Sequence, residues 1–284
     1  MNLPGDRSDT VLIRARTILL DALEALADQQ DAVIVIGAQA VYLRTGALNV
    51  ALAESTKGSD VTLDPRLLND VPHLESVMRA AGFLPLDQPG SWARAFGIPI
   101  DLMVPEAMAG RGRRGARIPP HDKRAARKAR GLEAALIDWD VIAVTALDPN
   151  DGRVLKAKVA GSAALLIAKL HKIVERLEQP HRLNDKDAHD MYRILRAEET
   201  DSLLRSFRIL LDDELSRDVS EEALSYLSRH FAPGPGSVGA EMAGRAEEGV
   251  GFPDEVAMAT SILASDLIDA LSQAGYPVTA EDDR

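Results

Sequence analysis

The sequence predicts an α+β protein, with strands and helices interleaved as far as residue 160 and helices alone after it. Three observations predict it. Short β-branched or alternating runs, AVIVI at Ala32 to Ile36 and SDVTL at Ser59 to Leu63 among them, recur between helical patterns in the first half. From Gly161 onward apolar residues return at helical spacing only. The 284 residues, 46% hydrophobic and 27% charged, suffice for two folded domains, expected at 1–160 and 161–284.

Val11 to Ala27 reads as an amphipathic helix, and Ala32 to Ile36 as a buried strand. Gly37-Ala38 forms a turn, and Gln39 to Leu43 opens a second helix. Ser59 to Leu63 alternates as a strand does. Asp64-Pro65 reads as an N-cap with proline at the first helical position, and the helix is expected to run to Ala81, where Gly82 ends it. Phe83 to Leu86, Ala93 to Gly97 and Ile98 to Val104 give strand signals. Gly110 to Gly131, dense in Arg, Lys and Gly, reads as a mobile or partly helical segment outside the core. Val141 to Val144 and Val154 to Val159 read as strands. Helices are expected at Ser162 to Leu177, Lys186 to Arg196, Asp201 to Leu211, Ser220 to Phe231 and Asp254 to Ala274, with a Gly/Pro-rich break at Ala232 to Gly239.

The chain has no cysteine, which removes disulfides, thiolate metal sites and thiol nucleophiles. Met1 to Thr10 does not read as a signal peptide, and no apolar run approaches the roughly 18 residues of a membrane span, so a cytoplasmic protein without a membrane partner is expected. The net charge of -11 repels nucleic acid at long range. Against it stand Arg111, Arg113, Arg114, Arg117, Lys123, Arg124, Arg127, Lys128 and Arg130, opposed only by Asp122. Such a run is either a solvated surface or a contact for a phosphate backbone. The six histidines show no metal spacing, and His171 reads as a packing or hydrogen-bonding residue.

Three stretches fit one chemistry: VIVIGAQAVYLRTG around Gly37, TKGSDVTLD at Thr56 to Asp64, and GIPIDLMVP at Gly97 to Pro105. Alternate strand residues point the same way, so carboxylates on one strand can share an ion and a neighbouring strand can add another. Phosphoryl transfer develops charge on the attacking and leaving oxygens, which carboxylate-held Mg²⁺ stabilises. Asp101 lies in an apolar strand, where a carboxylate is costly unless paired or metal-bound. Together the stretches resemble the nucleotidyltransferase pattern: a small-residue turn into a helix, a strand with paired carboxylates, and a later strand with a third. Families of this type read T-K-D-x-D where this chain reads Thr56-Lys57-Gly58-Ser59-Asp60. On the Thr-Lys anchor, Gly58 occupies the first carboxylate position. Sliding the register makes Asp60 the first carboxylate and Thr62 the second, at the cost of the Thr-Lys match. Either way one strand carboxylate is missing. Asp64 shares the face but reads as a helix cap.

In the second half, AALLIAKLHKIVER (Ala163 to Arg176) and RLNDKDAHDMYRIL (Arg182 to Leu195) resemble the K-L-H-x-x-x-x-R and K-D-x-x-D segments of AbiEii/MenT-type nucleotidyltransferase toxins, members of the DNA polymerase β-like superfamily. The resemblance covers roughly residues 30 to 200. It implies a nucleotidyltransferase-fold mixed β-sheet with flanking helices, and a C-terminal helical bundle that completes the active-site cleft. It further implies a Mg²⁺-dependent enzyme that transfers NMP from an NTP to RNA, with a tRNA 3′ end as the acceptor. On that reading Asp60 and Asp101 hold Mg²⁺, Lys169 contacts the triphosphate, and Asp187 orients that lysine or the substrate, with Asp190 a turn later. Gly37, Ala38, Thr56, Lys57, Ser59, Lys172 and Arg176 become nucleotide contacts, Arg111 to Arg130 guides the RNA, and a cognate antitoxin is a further partner. Gly58 implies impaired transfer. The alternatives are a small-molecule or protein acceptor, and a non-catalytic nucleotide-binding relative. Read without the resemblance, Lys169 snorkels from an amphipathic helix, and Asp187 and Asp190 are solvated partners of Lys186 and Arg193.

Overall fold

The computed structural model describes residues 6–46, 59–94, 97–276 and 278. The chain forms two compact units, Met1–Leu43 with Ser55–Gly161, and Arg44–Glu54 with Ser162–Arg284. The first is a mixed β-sheet with helices, and the second is helical. Among the described residues no helix is long and apolar enough to cross a membrane.

The first unit opens with helix α1 (Asp6–Ala25), whose stripe of Leu12, Ala15, Leu19 and Ala22 is buried at helical spacing. A 3-10 turn (Ala27–Ala32) leads into strand β1 (Val33–Ile36), buried throughout. Helix α2 (Gly37–Thr45) begins directly after it. Strand β2 (Ser59–Leu63), helix α3 (Leu74–Ala80), and strands β3 (Leu84–Pro85), β4 (Ser91–Ala93), β5 (Ile100–Pro105), β6 (Arg127–Ala129), β7 (Trp139–Thr145) and β8 (Val154–Ala160) follow. The sheet order is β3-β4-β5-β2-β1-β8-β7. The β2–β5 and β1–β8 pairs are parallel, whereas β1–β2, β4–β5 and β7–β8 are antiparallel. Strand β6 runs parallel to β5 on the edge that β4 occupies further back. Gly90 stands at this junction with φ +78, and a Cβ there would lie 2.5 Å from both the Arg127 nitrogen and the Leu102 oxygen. Only glycine lets the three strands meet.

Two expectations are corrected here. No helix starts at Asp64-Pro65. Asp64 instead closes a turn, its carboxylate accepting from the Arg66 amide at 3.0 Å and the Arg66 guanidinium at 2.7 Å. Pro72 then denies a helix its hydrogen bond, and buried Gln29 fastens the loop by donating to the Asn69 and Pro72 carbonyls and accepting from the Asn69 amide. The helix begins only at Leu74. The basic segment is likewise no loose arm. Ala116, Ile118, Ala125 and Ala126 are buried, β6 joins the sheet, and the buried Trp92 indole donates to the Ala125 carbonyl at 2.9 Å. Small apolar residues spaced between the arginines anchor a backbone that charge density alone suggested was solvated. Of the strand expected at Ala93 to Gly97, Ala93 ends β4, and residues 95–96 lie outside the described set.

The second unit comprises α4 (Ser162–Leu177), α5 (Asp185–Ala197), α6 (Thr200–Asp212), α7 (Arg217–His230), α8 (Val238–Arg245) and α9 (Pro253–Gln273). Asn184 caps α5 by accepting from the Lys186 amide, and Pro253 starts α9. Phe207, Phe231, Leu227 and Leu267 lie in the core. The Gly/Pro-rich break holds as far as Ser237, and helix α8 follows it on a stretch where no helix was expected. Gly239 makes room for the Phe231 ring and Gly244 for the Pro253 carbonyl, so a short helix of small residues packs closely against α5 and α9.

Candidate active site

In the first unit the two candidate metal ligands lie side by side. Asp60 of β2 and Asp101 of β5 are Cα partners in a parallel pair, so their side chains leave the same face of the sheet. Both are half-buried. Asp60 packs against the turn into α2. A Cβ on Gly37, whose φ is +66, would lie 2.2 Å from Asp60 Oδ2. Gly37 thus provides the space for a carboxylate at the start of a helix, where the N-terminal amides favour negative charge. Ala38 is buried behind it.

Asp101 is held from two sides. Its Oδ1 accepts a hydrogen bond from the Ser91 hydroxyl, and its Oδ2 accepts from Arg127 Nη2 at 2.9 Å. Asp101 and Ser91 line a cavity of about 600 Å³ together with Leu86, Asp87, Gln88 and Pro99. Arg124 donates to the Leu86 and Asp87 carbonyls, which ties the basic segment to the backbone of two lining residues. Sequence reasoning did not single out Ser91 or the Arg127–Asp101 pair, because pairing across β4, β5 and β6 is not a local signal.

Ser59 is a correction. Strand alternation turns it away from Asp60, and its buried hydroxyl donates to the Ala15 carbonyl of α1 at 2.8 Å, so it is not on the carboxylate face. Thr62 shares the Asp60 face but is buried. Thr56, Lys57 and Gly58 lie outside the described residues.

Among the described residues no group of three or more His, Asp or Glu side chains could hold a metal ion. Two carboxylates in register still fit one Mg²⁺, which keeps most of its octahedral shell as water and substrate phosphate.

The second unit gathers the other candidates around Asp187 of α5. Lys169 Nζ, from α4, lies 2.8 Å from Asp187 Oδ1 and 2.6 Å from Asp190 Oδ2. Lys172 Nζ reaches Asp187 Oδ1 at 2.8 Å, and Arg176 Nη1 reaches its Oδ2 at 3.2 Å. Residues 169, 172 and 176 share one helical face, which explains how one carboxylate collects three cations. Burial disfavours charge on both members of the central pair, but their mutual attraction wins. The Lys169 ammonium is therefore held above its ordinary pKa, and the Asp187 carboxyl below the usual range. Lys169 is fully enclosed by its two carboxylates, with a side chain 6% exposed against 38% for Lys172 and 23% for Arg176. The two aspartates are therefore buried ligands of Lys169 and not solvated side chains. Lys186 itself, the lysine of the K-D-x-x-D match, is pushed down to about 8 by burial, with Asp190 opposing and Lys169 adding to the shift. His171 bonds the Val219 carbonyl through Nε2 at 2.8 Å and packs edge-on to Tyr226, a hydrogen-bonding role as expected.

No protein-family model, curated protein or solved structure matches the chain.

Proposed function

We propose that this protein is a nucleotidyltransferase of the AbiEii/MenT toxin type, which moves NMP from an NTP to RNA, with a tRNA 3′ end as acceptor, in the cytoplasm. The observation that carries the reading is the register of Asp60 and Asp101 on adjacent parallel strands, beside a glycine turn that opens a helix. That is the arrangement the three sequence stretches would need in order to act together. Mg²⁺, when bound at Asp60 and Asp101, would supply charge stabilisation for the phosphoryl group in flight. In the second unit the Asp187 cluster supports the same reading. Asp187 fixes Lys169, and Lys172 and Arg176 present the more accessible cations to a triphosphate. The exposed arginines of the basic segment, anchored beside the cavity at Asp101, suit an RNA backbone. A cognate antitoxin would be its natural regulator.

The Arg127–Asp101 pair favours one competing reading, a nucleotide-binding relative without turnover. Incubation with labelled NTPs and total tRNA separates the two. Label should enter tRNA, and Asp60→Asn should slow its entry by about a hundredfold, a barrier change of about 2.7 kcal/mol. Tight NTP binding with no label in tRNA, protein or small acceptors would establish the non-catalytic reading instead.

A further inference from the structure

The carboxylate site contains a cation of its own. Arg127 leaves β6 on the same sheet face as Asp101, because its Cα partner Met103 lies two residues beyond Asp101 on β5. Its position is fixed by backbone. Strand β6 pairs with β5, Gly90 lets the chain pass, Ala126 beside it is buried, and Trp92 holds the neighbouring Ala125. One guanidinium nitrogen binds Asp101, while Nε is buried without a hydrogen-bond partner. A buried unused donor is costly and calls for an acceptor. Asp101 lines the adjoining cavity, and Arg127 stands directly behind it, joined to it through that carboxylate.

We propose that Arg127 replaces a second divalent ion at this site. It neutralises Asp101 in the resting protein and gives its remaining donors to a phosphate oxygen of an incoming triphosphate. The inference rests on the nucleotidyltransferase reading and extends it to a one-metal, one-arginine site. The physical case is charge balance. Two carboxylates offer few oxygens to hold two divalent ions close together against their mutual repulsion, whereas a guanidinium carries its charge without needing ligands. Its planar fork matches carboxylate and phosphate alike. It also stays charged at every working pH.

The test measures binding, with Mn²⁺ and inorganic tripolyphosphate as probes. Manganese binding to the full chain is followed by electron paramagnetic resonance, and tripolyphosphate binding by calorimetry in the presence of a chelator. Arg127→Gln should tighten Mn²⁺ about tenfold, by freeing Asp101, and weaken metal-free tripolyphosphate about tenfold, each a change of about 1.4 kcal/mol. Arg127→Lys, which keeps the charge, should shift both far less. Asp101→Asn gives an independent check that leaves Arg127 in place: it releases the guanidinium and should tighten metal-free tripolyphosphate. Both affinities unchanged in a folded Arg127→Gln protein, or unchanged tripolyphosphate affinity in Asp101→Asn, would overturn the proposal. If Asp60→Asn and Asp101→Asn abolish Mn²⁺ binding while Arg127→Gln changes nothing, this inference alone fails. If neither aspartate variant affects Mn²⁺, the metal assignment of the proposed function fails as well.

Discussion

At the scale of single residues, most of the chemistry depends on which neighbour each charge has. Gly37 shows this at a turn. Its backbone lies in the left-handed region, and the space of its missing Cβ is filled by Asp60 Oδ2. Gly37→Ala should therefore incur backbone strain of about 1–2 kcal/mol, and it should also displace the Asp60 carboxylate. Urea unfolding would measure the first effect, and Mn²⁺ affinity the second. A variant with wild-type stability would show that the turn has another conformation open to it. Lys169 shows the same dependence within the helical unit. On an isolated amphipathic helix it would snorkel to water, but here two aspartates one turn apart on α5 hold it inside.

At the scale of elements, α3 and the basic segment are coupled through one histidine. His121 is buried, and its Nδ1 accepts a hydrogen bond from the Leu74 amide, the first of α3. Burial lowers its pKa below the ordinary value, with Glu75 and Asp70 opposing the shift and His73 assisting it. Protonation would remove the acceptor and place a positive charge at the positive end of a helix dipole. The sign follows from linkage. With the folded pKa depressed, the unfolded chain binds the proton more readily. The stability is fully present above about pH 6.5, falls as pH drops below that value, and is lost through the lower folded pKa. His121→Gln should therefore lower stability more at pH 7.5 than at pH 5.5, as read by urea unfolding at the two pH values. An equal loss at both would show that the imidazole is not the pH-sensitive cap.

At the scale of the whole molecule, an acidic chain of net charge -11 carries an exposed basic surface. Arg111, Arg113, Arg114 and Arg117 are all exposed on a backbone that buried alanines and Ile118 hold in place. A fixed display of this kind can bind phosphates without first ordering a loop, which would otherwise cost conformational entropy. Replacing these four arginines by glutamine should weaken tRNA binding. It should also flatten the dependence of log K on log salt by about 0.7–0.9 per contact removed. Filter binding across a salt series gives both numbers. An unchanged slope would exclude the segment as an RNA surface and point to a small acceptor.

The sequence by itself determined the kind and position of most elements. The period of apolar residues located α4, α5, α7 and α9, and β-branched runs located β1 and β2. It also marked Asp101 as a candidate, because a carboxylate in an apolar strand needs a partner, and Asp60 through the pattern of the three stretches. It misjudged the chain where distant contacts override local pattern. The helix expected from Asp64 yields to Gln29 and Pro72, and α8 forms because Phe231 and Pro253 pack onto glycines. Only the tertiary structure decided that β5 pairs in register with β2, that Arg127 neutralises Asp101, and that Lys169 is enclosed. A periodic pattern reports how one element meets water. The identity of a charge's counterion depends on which strands and helices become neighbours, and that is settled by long-range packing across the whole unit.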